Sequence, residues 1–159
     1  MKLDSSPARC LILACGNTLR NDDGIGPNLA EWAEERFEQD SNIRVIARQQ
    51  FTPDLAEEIA AAESVLFIDS SVELRPGRVD FFPVIPRTAN GGTATHQFDA
   101  PDLLALARDL YDSRSAHAML LTVGAGSMEL GESFSDEVEA ALPRARGVIE
   151  KAVFRLLEN

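Results

Sequence analysis

A six-residue apolar run near the N-terminus, CLILAC from Cys10 to Cys15, constrains the fold of this chain most. A continuous apolar run bounded by Arg9 and Gly16 predicts a strand buried on both faces, as in the middle of a parallel sheet. Helices must then cover both faces of that sheet. With 159 residues, 45% of them hydrophobic, the chain can bury such a core as one domain over 1–159, and no linker or internal repeat divides it.

The segments after this strand alternate between helical and strand patterns. Helices are predicted from Pro27 to about Glu38, Leu55 to Ala62, Asp99 to Asp112 and Ser135 to Leu157, and further strands from Ile43 to Ala47, Ser64 to Ser70, Arg78 to Val84 and Met119 to Val123. Thr52 and Asp54 are candidate caps for the second helix, and Asp99 and Ser135 are predicted to cap the third and the fourth. Pro143 predicts a kink or an interruption in the last helix.

This order of elements predicts a doubly wound sheet with right-handed crossovers. The link between the third and fourth strands is shorter than the ~12 residues that a parallel crossover needs, so the fourth strand is expected to run antiparallel, at an edge. The predicted fold class is therefore α/β, with three α/β/α layers around a twisted, mainly parallel sheet of about five strands.

Composition excludes several classes of partner. The formal net charge of -11 argues against nucleic acid and against a membrane surface, because both are anionic. No apolar stretch of signal-peptide or membrane-spanning length occurs, which predicts a cytoplasmic protein. The two cysteines, Cys10 and Cys15, fall on opposite faces of one predicted strand, which argues against a disulfide.

Charged side chains follow two of the predicted parallel strands. Asp22 and Asp23 come after the first strand, Asp69 ends the third, and a long turn-rich loop after the fourth contributes His96. Ligands of open parallel sheets bind outside the carboxyl ends of the strands, so Asp23 and Asp69 flank one crevice if their strands are neighbours. Two carboxylates and an imidazole are a suitable ligand set for nickel or zinc.

Each of these residues also has a structural explanation. Asp22 or Asp23 can end a turn, Asp69 can cap backbone amides, and His96 can be an exposed loop residue. Their joint placement, beside a loop that contains three glycines, favours a metal-binding or catalytic site.

Other familiar sites lack their motifs. The segment 16–26 contains no phosphate-binding motif, and Gly124 and Gly126 form only a fragment of one, which leaves a nucleotide site unsupported. Hydrolase signatures such as G-x-S-x-G and H-E-x-x-H are absent. His117 and Cys15 are predicted to be structural residues, although Cys15 could in principle act as a nucleophile.

Three segments resemble hydrogenase maturation endopeptidases: GNTLRNDDGIG after the first strand, LFIDS at the third and THQF in the long loop. The resemblance extends over nearly the whole chain. It implies that Asp23, Asp69 and His96 are the metal-recognising and catalytic residues. The stretch QQFTPDLAEEI is similar to a Q-x-x-T-P-E-L version of the family, seen in members that serve cytosolic multisubunit hydrogenases, and replaces a D-G-G-T loop found in many others.

What the resemblance implies is an endopeptidase that removes the C-terminal extension from the nickel-loaded large-subunit precursor of a [NiFe]-hydrogenase. The nickel would be supplied by the precursor, with zinc or cadmium as substitutes in vitro. Two alternatives remain open at this point: a non-proteolytic nickel-binding chaperone or sensor with the same three ligands, and a flavodoxin-like small-molecule binding protein.

Overall fold

The computed structural model describes residues 8–88, 98–112 and 117–158. Within these ranges the strands are β1 (Cys10–Cys15), β2 (Ile43–Arg48), β3 (Ser64–Ser71), β4 (Val79–Pro83) and β5 (His117–Gly124). The α-helices of the same ranges are α1 (Ile25–Arg36), α2 (Leu55–Ala60), α3 (Ala100–Tyr111) and α4 (Asp136–Glu158). None of the helices in this part of the chain is both long and apolar enough to cross a membrane.

The five strands form one sheet in the order β2-β1-β3-β5-β4. β1 pairs in parallel with β2 and with β3, and β3 pairs in parallel with β5. β4 lies at the edge and runs antiparallel to β5. The first and third strands are thus neighbours, which is the condition under which Asp23 and Asp69 flank one crevice. The antiparallel edge strand that the short link requires is confirmed.

Helices cover both faces of the sheet. Alternating residues of β1 point to opposite sides, so Ile12 packs with α1 and α4, whereas Leu11 and Leu13 pack with α2 and α3. Cys10 and Cys15 are free thiols and contact different cores. The three-layer α/β/α architecture is therefore confirmed.

Pro143 lies inside α4 without interrupting it, so of the predicted kink or interruption the interruption does not occur. A proline in a helix removes one amide donor, whose acceptor here would be the carbonyl of Glu139. Buried side chains on both sides of the proline, from Val138 to Leu156, pack against the sheet and hold the helix through this position.

The helix α2 begins at Leu55 as predicted, but its end and its capping differ from the prediction. The helix ends at Ala60, two residues early, and Asp54 at its N-cap makes no capping hydrogen bond through its side chain. The hydroxyl of Thr52 donates to the Asp54 carboxylate instead. The two candidate caps therefore pair with each other rather than with the backbone amides of the helix.

Candidate functional site

A cleft of about 1200 Å³ opens at the carboxyl ends of the parallel strands. It lies where β1 and β3 are neighbours and where their crossovers depart in opposite directions, to β2 on one side and towards β5 on the other. This is the switch point at which open α/β sheets bind their ligands. The side chains that line the cleft include Asn17, Arg20, Asp23, Gln49, Asp69, Ser70, Phe98, Asp99 and Met128.

Asp23 is held between the ends of β1 and β3. It lies in a short 3₁₀ turn, Asn21–Gly24, that follows β1. Its Oδ2 accepts a hydrogen bond of 2.8 Å from the amide of Asn17, and its Oδ1 accepts one of 2.7 Å from the hydroxyl of Ser70. Both carboxylate oxygens are therefore oriented by donors, one from the loop that follows β1 and one from β3.

Asp69, near the end of β3, shares the cleft with Asp23 but lacks such support. Its Oδ1 is buried and has no hydrogen-bond partner among the described residues, and the same is true of the hydroxyl of Thr122, its neighbour on β5. Burial is the main reason that the pKa of Asp69 is raised to about 6; the nearby Thr122 hydroxyl lowers it, and the charges of Asp23 and Asp99 raise it further. A carboxylate with a pKa close to neutrality is suited to accept a proton.

Asp22 has a structural role, although it lies beside Asp23 in sequence. It is fully buried, and its carboxylate accepts hydrogen bonds from the amides of Gly126, Ser127 and Ser135 and from the hydroxyl of Ser135. Burial alone would raise its pKa, but these hydrogen bonds together lower it. Asp22 thus connects the 3₁₀ turn to the loop after β5 and to the start of α4. The amide of Gly126 donates to the Asp22 carboxylate.

Two glycines allow the site loop to pack tightly. A Cβ on Gly16 would lie 2.0 Å from the carbonyl oxygen of Asp23, and one on Gly26 would lie 2.2 Å from that of Cys15. No larger residue fits these positions without moving the backbone. The glycines of the loop therefore serve close packing of β1 against α1 and the 3₁₀ turn.

The third predicted site residue, His96, lies outside the described residues. Thr88 and Phe98, the nearest described residues on either side in sequence, both line the cleft. His117, by contrast, is the first residue of β5 and lies exposed at the opposite end of the sheet. The structural interpretation of His117 agrees with this position.

Cys15 lines the cleft but is unsuited to nucleophilic attack. Burial, followed by the negative charges of Asp69 and Asp23, raises the pKa of its thiol to about 12. The thiol therefore stays protonated at neutral pH, and a thiol is a far weaker nucleophile than a thiolate.

An ion-pair cluster connects the two ends of the segment that contains His96. Asp99 and Asp102 form a capping box at the start of α3, with hydrogen bonds of 3.0 and 3.1 Å to each other's amides. Arg87 pairs with both carboxylates, and its amide donates to the carbonyl of Pro101. The cap at Asp99 was predicted from the sequence, whereas the pairing with Arg87 was not.

Sequence reasoning also missed Ser70 and Thr122, the hydroxyls that lie closest to the two acids. Ser70 follows Asp69 in the same strand, and a hydroxyl beside a strand-end carboxylate is a signal that could have indicated it. Thr122 could not be found in this way, because its contact depends on the pairing of β5 with β3.

Among the residues with described positions, no three His, Cys, Asp or Glu side chains are arranged to hold a metal ion. The two predicted acids, Asp23 and Asp69, do share the cleft. The buried oxygen of Asp69 without a partner is the kind of group that a cation would satisfy.

No protein-family profile and no curated protein matches the chain in sequence. Solved structures do match. The [NiFe] hydrogenase maturation protease HybD from Thermococcus kodakarensis is 28% identical, with 90% of this chain and 97% of that chain covered and a TM-score of 0.65. The hydrogenase 2 maturation peptidase from a Thaumarchaeota archaeon is 25% identical over 91% and 97% of the two chains, also with a TM-score of 0.65.

The maturation protease HycI from Thermococcus kodakarensis has the same fold at 23% identity, with a TM-score of 0.67 over 98% of this chain and 96% of that one. The matched structures thus carry the α/β architecture described above over nearly the full length of the chain. The resemblance to hydrogenase maturation proteases that the sequence motifs predict is confirmed by this agreement in fold.

Proposed function

We propose that this chain is an endopeptidase that removes the C-terminal extension from the nickel-loaded large-subunit precursor of a [NiFe]-hydrogenase. The observation that carries the proposal is the convergence of Asp23 and Asp69 in one cleft at the switch point of the sheet. Their placement matches the motif-based assignment. The likeness to maturation proteases over nine tenths of the chain supports the reaction class.

The chemistry of the cleft supports recognition of nickel that is bound to the precursor. Asp23 offers an oriented carboxylate, and Asp69 offers a buried oxygen that lacks a donor. With the imidazole of His96 as a third ligand, this set combines oxygen and nitrogen donors that suit a borderline divalent ion. The three residues would engage the nickel and position the scissile peptide beside it.

Hydrolysis then needs a water molecule that adds to the scissile carbonyl carbon, a base that takes its proton, and a proton for the departing amine. Either the nickel or a carboxylate activates this water. If a carboxylate is the base, Asp69 fits that role in the metal-free cleft, because burial raises its pKa to about 6.

The direct test is incubation of the protein with nickel-loaded and nickel-free precursor, followed by intact-mass measurement. We expect a shortened large subunit and a released C-terminal peptide only from the nickel-loaded precursor. Binding of the precursor without any cleavage would instead support a nickel-binding chaperone or sensor. Equal cleavage of both precursors would contradict recognition through nickel.

Variants of the three proposed residues test their roles in the same assay. Replacing His96 with Ala should abolish or severely slow processing, whereas the matched change His117→Ala, at the opposite end of the sheet, should leave it nearly unchanged. Asp23→Asn and Asp69→Asn nearly preserve shape and remove the charge that attracts the metal. Wild-type processing rates in all three site variants, each shown to be folded, would show that these residues are not the site.

A further inference from the structure

Ser70 connects the two acidic residues of the cleft. It follows Asp69 in β3, and because side chains alternate along a strand, its hydroxyl lies on the other face of the sheet from the Asp69 carboxylate. From there it donates a 2.7 Å hydrogen bond to Oδ1 of Asp23, which is 47 positions away in sequence. The end of β3 thus supplies one acid of the cleft and a donor to the other.

The two acids consequently differ in how firmly they are held. Asp23 accepts one hydrogen bond at each oxygen, from the Asn17 amide on the β1 side and from Ser70 on the β3 side. One hydrogen bond occupies only one of the two lone pairs of a carboxylate oxygen. Asp69 Oδ1, by contrast, has no partner in the part of the chain that the structure describes. Asp23 is therefore oriented before any ligand arrives, and Ser70 is the side chain that orients it.

We infer that Ser70 is a positioning residue that holds the Asp23 carboxylate in the orientation in which it binds the cation. This inference rests on the proposed function, because it takes Asp23 as a ligand. Carboxylates that bind metals are commonly fixed by a second layer of hydrogen bonds, and loss of such a partner weakens metal binding by about 10–100-fold. The backbone donor at Asn17 is not removed by truncating the side chain, whereas the hydroxyl of Ser70 is.

The neighbouring hydroxyl provides a matched control. Ser71 lies at the end of the same strand, and its Oγ accepts only a local hydrogen bond of 3.1 Å from the amide of Glu73 within the described part of the chain. Ser71→Ala therefore removes the same atom one residue away without touching Asp23. Ser70→Thr is the conservative counterpart, because it keeps the hydroxyl.

The experiment is calorimetric titration of the full chain with Cd²⁺ and with Ni²⁺, alongside processing of the nickel-loaded precursor and a thermal melt. We expect Ser70→Ala to bind these ions about tenfold or more weakly and to process more slowly. Ser70→Thr should recover most of both properties, and Ser71→Ala should match the wild type in all three measurements.

The outcomes separate this inference from the proposed function. If Ser70→Ala binds the ions as tightly as the wild type does, or loses processing while ion binding is unchanged, Ser70 does not position Asp23 for a cation. A fall in affinity that Ser70→Thr does not recover also contradicts the inference. If the wild type and Asp23→Asn bind the ions equally, or not at all, the ligand role of Asp23 fails, and the inference about Ser70 fails with it. Processing that persists in that case leaves the protease assignment standing.

Discussion

At the scale of single residues, two acids beside the carboxyl ends of the strands differ in how well their charge is stabilised. Asp22 is buried and satisfied by four hydrogen bonds, whereas Asp69 is largely buried with one oxygen unsatisfied. Burial without a partner disfavours the charged carboxylate. The fold therefore carries an energetic penalty at Asp69 that a structural residue would not need, as is common where a group is kept for ligand binding or catalysis.

Asp69→Asn should stabilise the protein at pH 7.5. The folded-state pKa, raised from 3.8 to about 6, means that the ionised form opposes folding above pH 6 and that this effect disappears below about pH 4. A shift of this size corresponds to at most about 3 kcal/mol. Because the asparagine amide is also polar, we expect the free energy of unfolding to rise by only about 1–2 kcal/mol. Each kcal/mol corresponds to an increase of roughly 2–4 °C in melting temperature.

Thermal melts at pH 7.5 and pH 4 measure this effect. The advantage of Asp69→Asn over the wild type should shrink at the lower pH. Asp80→Asn is the control, because Asp80 faces Thr122 from its other side and is paired with Arg78 at 2.8 Å. It should give no stabilisation. If Asp69→Asn melts at a lower temperature than the wild type at pH 7.5, the ionised Asp69 carboxylate does not destabilise the fold.

At the scale of secondary-structure elements, the tight contact between β1 and α1 sets the position of the 3₁₀ turn that carries Asp23. Gly26 in the first turn of α1 approaches the carbonyl of Cys15 at the end of β1. Gly147 in α4 is also helical, but a Cβ there would meet no atom within 4 Å. The two glycines therefore allow a comparison in which only the surroundings differ.

Gly26→Ala should destabilise the protein and Gly147→Ala should stabilise it slightly. The added methyl group at Gly26 would lie 2.2 Å from the Cys15 oxygen, and relief of such an overlap requires backbone movement that costs about 1–3 kcal/mol. At Gly147 alanine has the higher helix propensity, with a gain of up to about 1 kcal/mol. Urea unfolding at equilibrium measures both; equal stability of Gly26→Ala and wild type would show that the contact is loose.

At the scale of the whole molecule, the sheet has the switch point at which nucleotide- and flavin-binding proteins bind their ligands. The backbone amides and the charged side chains described around it do not form a phosphate site. The amides of Gly126 and Ser127 after β5 donate to the Asp22 carboxylate rather than facing the cleft. Carboxylates that include Asp23 and Asp69 line the cleft itself. A phosphate group would meet the negative charge of these carboxylates there.

We therefore expect no saturable binding of FMN or ATP at micromolar concentrations. Quenching of FMN fluorescence and calorimetry with ATP measure this, and titration with Cd²⁺ on the same preparation is the positive control for a competent cleft. Micromolar binding of either nucleotide would support the flavodoxin-like alternative and count against the proposed protease.

The sequence by itself determined the elements and much of their order. The run from Cys10 to Cys15 predicts a buried central strand because no polar residue interrupts it, and the short link before β4 forces an antiparallel edge because a crossover needs more chain. The same logic brought Asp23 and Asp69 to one edge, since carboxyl ends of adjacent parallel strands meet there.

Only the tertiary structure decided which neighbouring residue does what. Asp22 and Asp23 are adjacent and identical, yet one anchors α4 and the other faces the cleft, because the 3₁₀ turn directs them to different partners more than 40 positions away. The burial of Asp69 beside Thr122 likewise follows from the pairing of β5 with β3. Periodicity and spacing describe contacts within one element, whereas these contacts depend on how distant elements pack.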